Sequence, residues 1–545
     1  MNSTLTTRSA LMRQGQRILP EYSSVEHQRW WLAAKVFAVA SLVFFSMFIG
    51  LLTAAGGVKA IGFMAVPLAA LFGLVLWLLP DVDRVSNPPI YKLSVAYLVA
   101  TVAWPNYIAL ALPGLPWITP SRLILGALLV IMVLHFAQHA DSRRTVANII
   151  GYDKIALGLY ALYLATVVWT LPLAEHPVET VRYAVLQEVL YLTPMIAVAW
   201  ALADMRRLKP MMVALSLTCI FTMLVSVLEN WMQQPPWLNI IPSFLRVDPM
   251  LLETYLGSQA RVGDGRYRIR STFGIVIFYS QYLCLVVPLL FEEIRRMRGT
   301  KIVVGVLLVA LVLQTVWFSN SRTSTLALLI PFFGGAALYG LRLIAYRRGG
   351  DPFKSLVVLV FVIGAVVALV GAIASSHRLQ MYTIGGKQHA GSDEVREEQW
   401  SNARSQIVKN PVGAGAGNSG PLVGKLSPQG VYIIDSLYIN YLVDFGPLGF
   451  LGFFGCLARL SWLGVMTYLR AEDETDELAG PLALGLISFI IAAYVISNTD
   501  NNFIAMAFGA FILALYRRQE MRRATVIARG GPVSTSSAVV LAART

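Results

Sequence analysis

Repetition constrains this fold more than any single motif. Apolar runs of about 17 to 22 residues, the length that carries a helix across roughly 30 Å of hydrocarbon, recur along the chain between short polar connectors. They fall near 32–53, 60–80, 91–112, 121–137, 154–172, 183–203, 210–229, 272–291, 302–318, 323–341, 355–374, 446–468, 480–497 and 502–516. Backbone amides inside lipid find no water, so runs of this length are read as helices. Only 14% of the residues are charged against 56% hydrophobic, whereas soluble domains carry about a quarter charged. The expected fold class is therefore an all-α polytopic membrane protein with about 14 (12–14) transmembrane helices. The third run is interrupted by Trp104 and Pro105.

The placement of lysine and arginine orients these runs. The net charge is +14, but the cations sit in small groups between apolar runs and form no stripe that would track nucleic acid. Arg143-Arg144, Arg206-Arg207, Arg295-Arg296, Arg347-Arg348 and Arg517-Arg518 all fall on one side if the N-terminus is cytoplasmic, as the positive-inside rule expects. Residues 1–31 are then a cytoplasmic segment without a cleavable signal, 32–516 a single transmembrane domain and 517–545 a disordered cytoplasmic tail. Two long loops, 230–271 and 375–445, face the outer side, and loops of that length are commonly functional. Cys219, Cys284 and Cys456 lie in apolar runs and mark neither a disulfide framework nor a zinc site.

The second loop contains GSDEVREEQWSNARSQIVKNP, residues 391–411. Val395, Trp400, Ala403 and Ile407 share a helical face, with Ser392 as the expected N-cap and Asn410-Pro411 as the stop. The following GAGAGNSGPLVGKL, 413–426, lacks the spacing of a phosphate loop and reads as a flexible connector. His135 and His139 stand at i, i+4 but no HExxH accompanies them.

Chemistry is suggested by the outer connectors. Arg322 lies between two membrane-length runs, and Arg182, Arg266, Arg268, Arg270, Arg396 and Arg404 belong to the same side. A cation placed in mid-bilayer costs about 3 kcal/mol. A phosphate at about 4 Å returns about 4 kcal/mol at an effective dielectric of 20. Forked guanidinium donors suit such an anion; interfacial snorkelling explains the same arginines without function. Asp435 opens DSLYINYLVDFGPLGF at the border of an apolar run, where a carboxylate can act as a general base or as a helix N-cap. Tyr438 follows one turn later, placed either to bond a sugar or to pack, and Asp500 in SNTDNNF is a further polar candidate.

Taken in order, PWITPSRLILGALL, RIRSTFGIVIFYSQYLCLVVPL, SNSRTSTLALL, WSNARSQIVKNPVGAGAGNSG and DSLYINYLVDFGPLGFLG resemble the blocks of the O-antigen ligase and Wzy-type polysaccharide polymerase superfamily. The resemblance covers roughly 116–516 and rests on block order. It implies a GT-C-like glycosyltransferase of the bacterial inner membrane, with a large periplasmic loop containing short helices over a cavity. The implied donor is an undecaprenyl-diphosphate-linked oligosaccharide and the acceptor a glycan hydroxyl, with no metal or other cofactor. Membrane lipids, a chain-length regulator and a flippase are the implied partners, and nucleic acid is not one. Carried onto this chain, Arg270 and Arg322 would hold the diphosphate, with Arg182 a looser match and Arg268, Arg396, Arg404 and Tyr438 around the substrate. Asp435 stands where ligases of the family carry histidine, which favours an exopolysaccharide or O-antigen polymerase. The alternatives are a ligase onto lipid A core and a lipid-linked oligosaccharide transporter, whose inverted repeats and broken helices are not evident here.

Overall fold

A computed structural model describes residues 89–111, 117–174, 176–247, 267–345, isolated positions between 353 and 375, 390–426, 432–497 and 499–528. The expected spans at 32–53 and 60–80, most of that at 355–374, and Arg266 lie outside the described residues. The chain divides into two compact units, residues 1–86 with 133–140, and residues 87–132 with 141–545. In the first, the described segment is helical and the rings of His135 and His139 stack 3.8 Å apart.

The second unit carries the remaining helices: α1 (Ile90–Ala103), α2 (Pro120–Gln138, whose last turns belong to the first unit), α3 (Ala140–Ile150), α4 (Lys154–Thr170), α5 (Pro177–Ala201) and α6 (Leu208–Met232). They are followed by α7 (Val276–Arg295), α8 (Lys301–Ser319), α9 (Arg322–Leu329) and α10 (Gly335–Ala345). The last group is α11 (Ala390–Lys409), α12 (Ser419–Val423), α13 (Leu437–Leu469), α14 (Glu474–Glu477), α15 (Ala479–Ala493) and α16 (Asn502–Ala528). Among the described residues nine helices are long and apolar enough to cross a membrane. That makes the chain a mostly helical, multi-pass membrane protein. α7 and α15 are the most enclosed, and α13 packs on α4, α15 and α16 while α16 packs on α5.

Three expectations change in detail. The third span stops early, because α1 ends at Ala103, before the Trp104-Pro105 step; proline lacks the amide that would extend the helix and restricts its predecessor. α16 continues to Ala528, so residues 517–528 are helical where a disordered tail was expected. Arg518 and Arg522 of that extension pair with Asp473 and Asp476, which gives it a partner that composition could not reveal. Finally, α10 is joined to α9 through a short π-helical turn, Ile330–Gly334, containing Pro331, so this span bulges where proline interrupts the ladder.

The glycine-rich segment is pinned, contrary to its reading as a flexible connector. Ala414 and Gly415 donate to the carbonyls of Val443 and Asp444 at 2.9 and 2.8 Å. Asp444, buried in α13, accepts from the amides of Gly417 at 2.9 Å and Ser419 at 2.7 Å. Gly413 (φ +107°) and Gly446 (φ +70°) make this possible: a Cβ on Gly413 would lie 2.5 Å from the Asp444 carbonyl oxygen, and one on Gly446 would lie 2.6 Å from that of Pro411. Gly446 with Pro447 also kinks α13. The kink falls where the sequence places the start of the twelfth span.

Candidate functional site

Two stations of polar side chains occupy the loop-rich end of the bundle. The first is built on the segment between α6 and α7. Arg268 donates to the Ser319 carbonyl at 3.4 Å, and the Ile269 amide donates to the Phe318 carbonyl at 3.4 Å. These bonds hold residues 268–270 against the turn that leads into Arg322, the first residue of α9. The structure thus brings together the backbones that carry Arg268, Arg270 and Arg322; the side chain of Arg322 lies outside the described residues.

Arg270 is completely buried, and so is Glu229 in the last turn of α6. Their Nε and Oε1 atoms are 3.7 Å apart, an attraction of about 4 kcal/mol at an effective dielectric of 20. None of the three guanidinium nitrogens makes a hydrogen bond among the described residues. Glu229 accepts instead from the Tyr267 hydroxyl at 2.7 Å and from the amides of Arg270 and Ser271 at 3.0 and 2.6 Å. Burial, and then the charge of Glu229, pushes the Tyr267 hydroxyl well above its ordinary pKa, which keeps it protonated as a donor. Burial likewise raises Tyr107, with the Arg270 charge pulling the other way. Tyr107 accepts from the Trp237 indole at 2.8 Å, and around it Ile108, Ile241, Trp104 and Leu245 form a small core. The first long loop is anchored there.

The second station is a cavity of about 480 Å³ lined by Arg396, Gln399, Trp400 and Arg404 of α11, by Asp435, Ser436 and Ile439 at the start of α13, and by Tyr494. α11 forms as its apolar spacing predicts, ending at Lys409 before Asn410-Pro411. It begins at Ala390, so Ser392 lies within the helix and not at its cap. Ala403 is fully buried against Val423, Ile439 and Val443, with Trp400 beside them. That face seats the helix on α13 and turns Arg396 toward Asp435, Nε to Oδ2 3.7 Å. Gln399 fixes the backbone between them: its carbonyl accepts from the Asp435 amide at 3.1 Å, and its amide donates to the Ile433 carbonyl at 3.0 Å. Asp435 is not a cap, because Ser436 holds the N-cap position and makes no side-chain capping bond.

The turn after α15 touches both stations. Tyr494 lines the larger cavity, and the Ile496 carbonyl accepts from the Leu437 amide at 3.1 Å. Asn501 donates to the Phe278 carbonyl at 2.9 Å and to Gln281 at 3.0 Å. Asp500 lines a cavity of about 40 Å³ with Tyr107, Trp104, Trp117 and Thr272, room for one or two waters. Burial raises its carboxyl above the usual range, opposed by the charge of Arg122.

The remaining expected residues separate. Arg182 is exposed in the second turn of α5. Tyr438 donates to the Ile490 carbonyl at 2.8 Å and packs on Phe450, Phe454 and Tyr494. Glu229, Gln399 and Tyr494 escaped the sequence reading. For Glu229 the signal was present, since an acid within an otherwise apolar membrane helix is a functional candidate by default. No pattern marks the other two before the fold brings them to Asp435.

Residues 282–454 match the profile of the O-antigen ligase family, Wzy_C. This supports the O-antigen ligase and Wzy superfamily. The matched stretch contains Arg322, Arg396, Arg404, Asp435 and Tyr438, and begins after Arg270. A search of curated proteins finds none that matches. The matched stretch is about a third of the chain, and the family it resembles is one of glycosyltransferase-like membrane enzymes, ligases or polymerases, of lipid-linked glycans.

Proposed function

We propose that the protein transfers or polymerises glycan repeat units from undecaprenyl diphosphate onto an acceptor sugar hydroxyl at the periplasmic face of the bacterial inner membrane. The observation that carries this reading is a fully buried arginine, Arg270, whose guanidinium nitrogens meet no hydrogen-bond acceptor among the described residues; an anionic group reaching it would complete the charge and hydrogen-bond balance of the site. Arg322 begins the helix next to that segment and supplies a second cation. Asp435 takes the proton of the acceptor hydroxyl as its oxygen attacks the anomeric carbon. The bond from that carbon to the diphosphate breaks with inversion, and the lipid diphosphate leaves with one more negative charge, stabilised by Arg270 and Arg322. Its low basicity removes the need for a general acid. Trp400 and Tyr494 offer aromatic surface to a sugar ring, with Arg396 and Arg404 at the rim and Arg268 beside the donor-binding segment. The carboxylate at 435, in place of the ligases' histidine, favours a polymerase.

The test is reconstitution. Purified full-length protein given lipid-diphosphate-linked repeat units should lengthen them, whereas Asp435→Ala and Arg322→Ala, inserted normally, should not. Equal product lengths from both variants would overturn the assignment.

A further inference from the structure

We infer that Glu229 is a positioning residue for Arg270, fixing the arginine's place while leaving its donors open to the anionic part of the substrate. The inference rests on the diphosphate reading of Arg270 and deepens it. Both side chains are fully buried. Elsewhere in the protein a partly buried pair closes on itself, as Arg459 does on Asp153 with bonds of 3.2 and 2.7 Å. Glu229 behaves differently. Its Oε2 is occupied by the amides of Arg270 and Ser271, its Oε1 by the Tyr267 hydroxyl, and the nearest guanidinium nitrogen remains at 3.7 Å. The carboxylate therefore balances the cation without consuming its hydrogen-bond donors. It also holds an uncommon backbone: Ser271 has φ +54°, a region that non-glycine residues seldom enter, and its hydroxyl is tied to the Thr222 carbonyl at 2.6 Å. Thr222 and Glu229 both belong to α6. One helix thus clamps residues 270–271, while the last residues of α8, 318–319, hold 268–269.

The experiment uses the full-length protein in lipid nanodiscs with a lipid-diphosphate-linked repeat unit as donor. Glu229→Gln should lower kcat/KM for the donor by about tenfold or more and leave the acceptor KM unchanged. In an Arg270→Lys background the same substitution should change the rate by less than about twofold, because residues acting as one unit are not additive. Tyr267→Phe, which keeps the carboxylate, should show the same pattern at about threefold, and it decides the question if Glu229→Gln fails to fold. Wild-type donor kinetics in folded Glu229→Gln, or losses that multiply with those of Arg270→Lys, would overturn the role of Glu229. Full activity in Arg270→Ala would instead remove the diphosphate reading beneath it.

Discussion

The two ends of the helical bundle treat charge in opposite ways. At one end, Asp473 and Asp476 bind Arg518 and Arg522, Glu477 binds Arg342 and Arg295, and Glu292 binds Arg295 and Arg296. These arginines meet carboxylates at hydrogen-bond distance. At the loop-rich end Arg270 is held near a carboxylate but is not closed upon it: it stands 3.7 Å from Glu229, and none of its guanidinium nitrogens is hydrogen-bonded among the described residues. A matched network supports the fold, whereas buried donors without acceptors are tolerated only where something else rewards them. The difference fits the proposed site at the loop-rich end and a structural role for the paired end.

That contrast can be broken by experiment. The largest effect expected is on turnover: Arg270→Ala should reduce transfer per folded molecule by about 10²–10³-fold, beyond any loss of stability from leaving Glu229 buried without its cation. Asp476→Asn, at the paired end, should do the reverse. Its carboxylate is fully buried between two arginines that are 25% and 35% exposed, so the loss should be about 1–3 kcal/mol in stability, with activity per folded molecule unchanged. A large loss of turnover in Asp476→Asn would dissolve the division.

A pH measurement sharpens it further. Burial works against ionisation of Asp153, but the bonds from Arg459 and the Ala156 amide prevail and hold its carboxyl below the usual value. The carboxylate is thus favoured in the folded state. Its stabilising contribution is complete above the ordinary aspartate value near ~3.9 and is lost as the pH falls through the depressed one. Unfolding temperatures of Arg459→Met should accordingly vary less with pH than wild type across that acidic window; identical profiles would deny the pair its role. The smallest effect is expected at Lys209 and Glu474, 54% and 76% exposed. Lys209→Ala should change stability by less than about 0.5 kcal/mol, and a calorimetric shift well beyond that would show that exposure does not set the ranking.

Much of the helical framework was legible because membrane insertion imposes length and polarity on each span separately. α4, α7, α8 and α15 begin and end near the expected limits, since each boundary is set by its own residues. α11 was readable for a related reason: the periodicity of Trp400, Ala403 and Ile407 and the Asn410-Pro411 stop are local. The pinned loop was not. Nothing in GAGAGNSG shows that Asp444, far along the chain, accepts two of its amides. The helical continuation of α16 was missed similarly, because it depends on acids that precede α15.

Membrane residence, helical class and the distribution of cations follow from the sequence, since the free energy of placing each side chain in lipid or water depends on that segment alone. Partnership does not. That Asp435 meets Arg396 and Gln399, and that Glu229 clasps the backbone of Arg270, was decided by packing of distant helices, because an ion pair or hydrogen bond exists only once two remote segments are brought within a few ångströms.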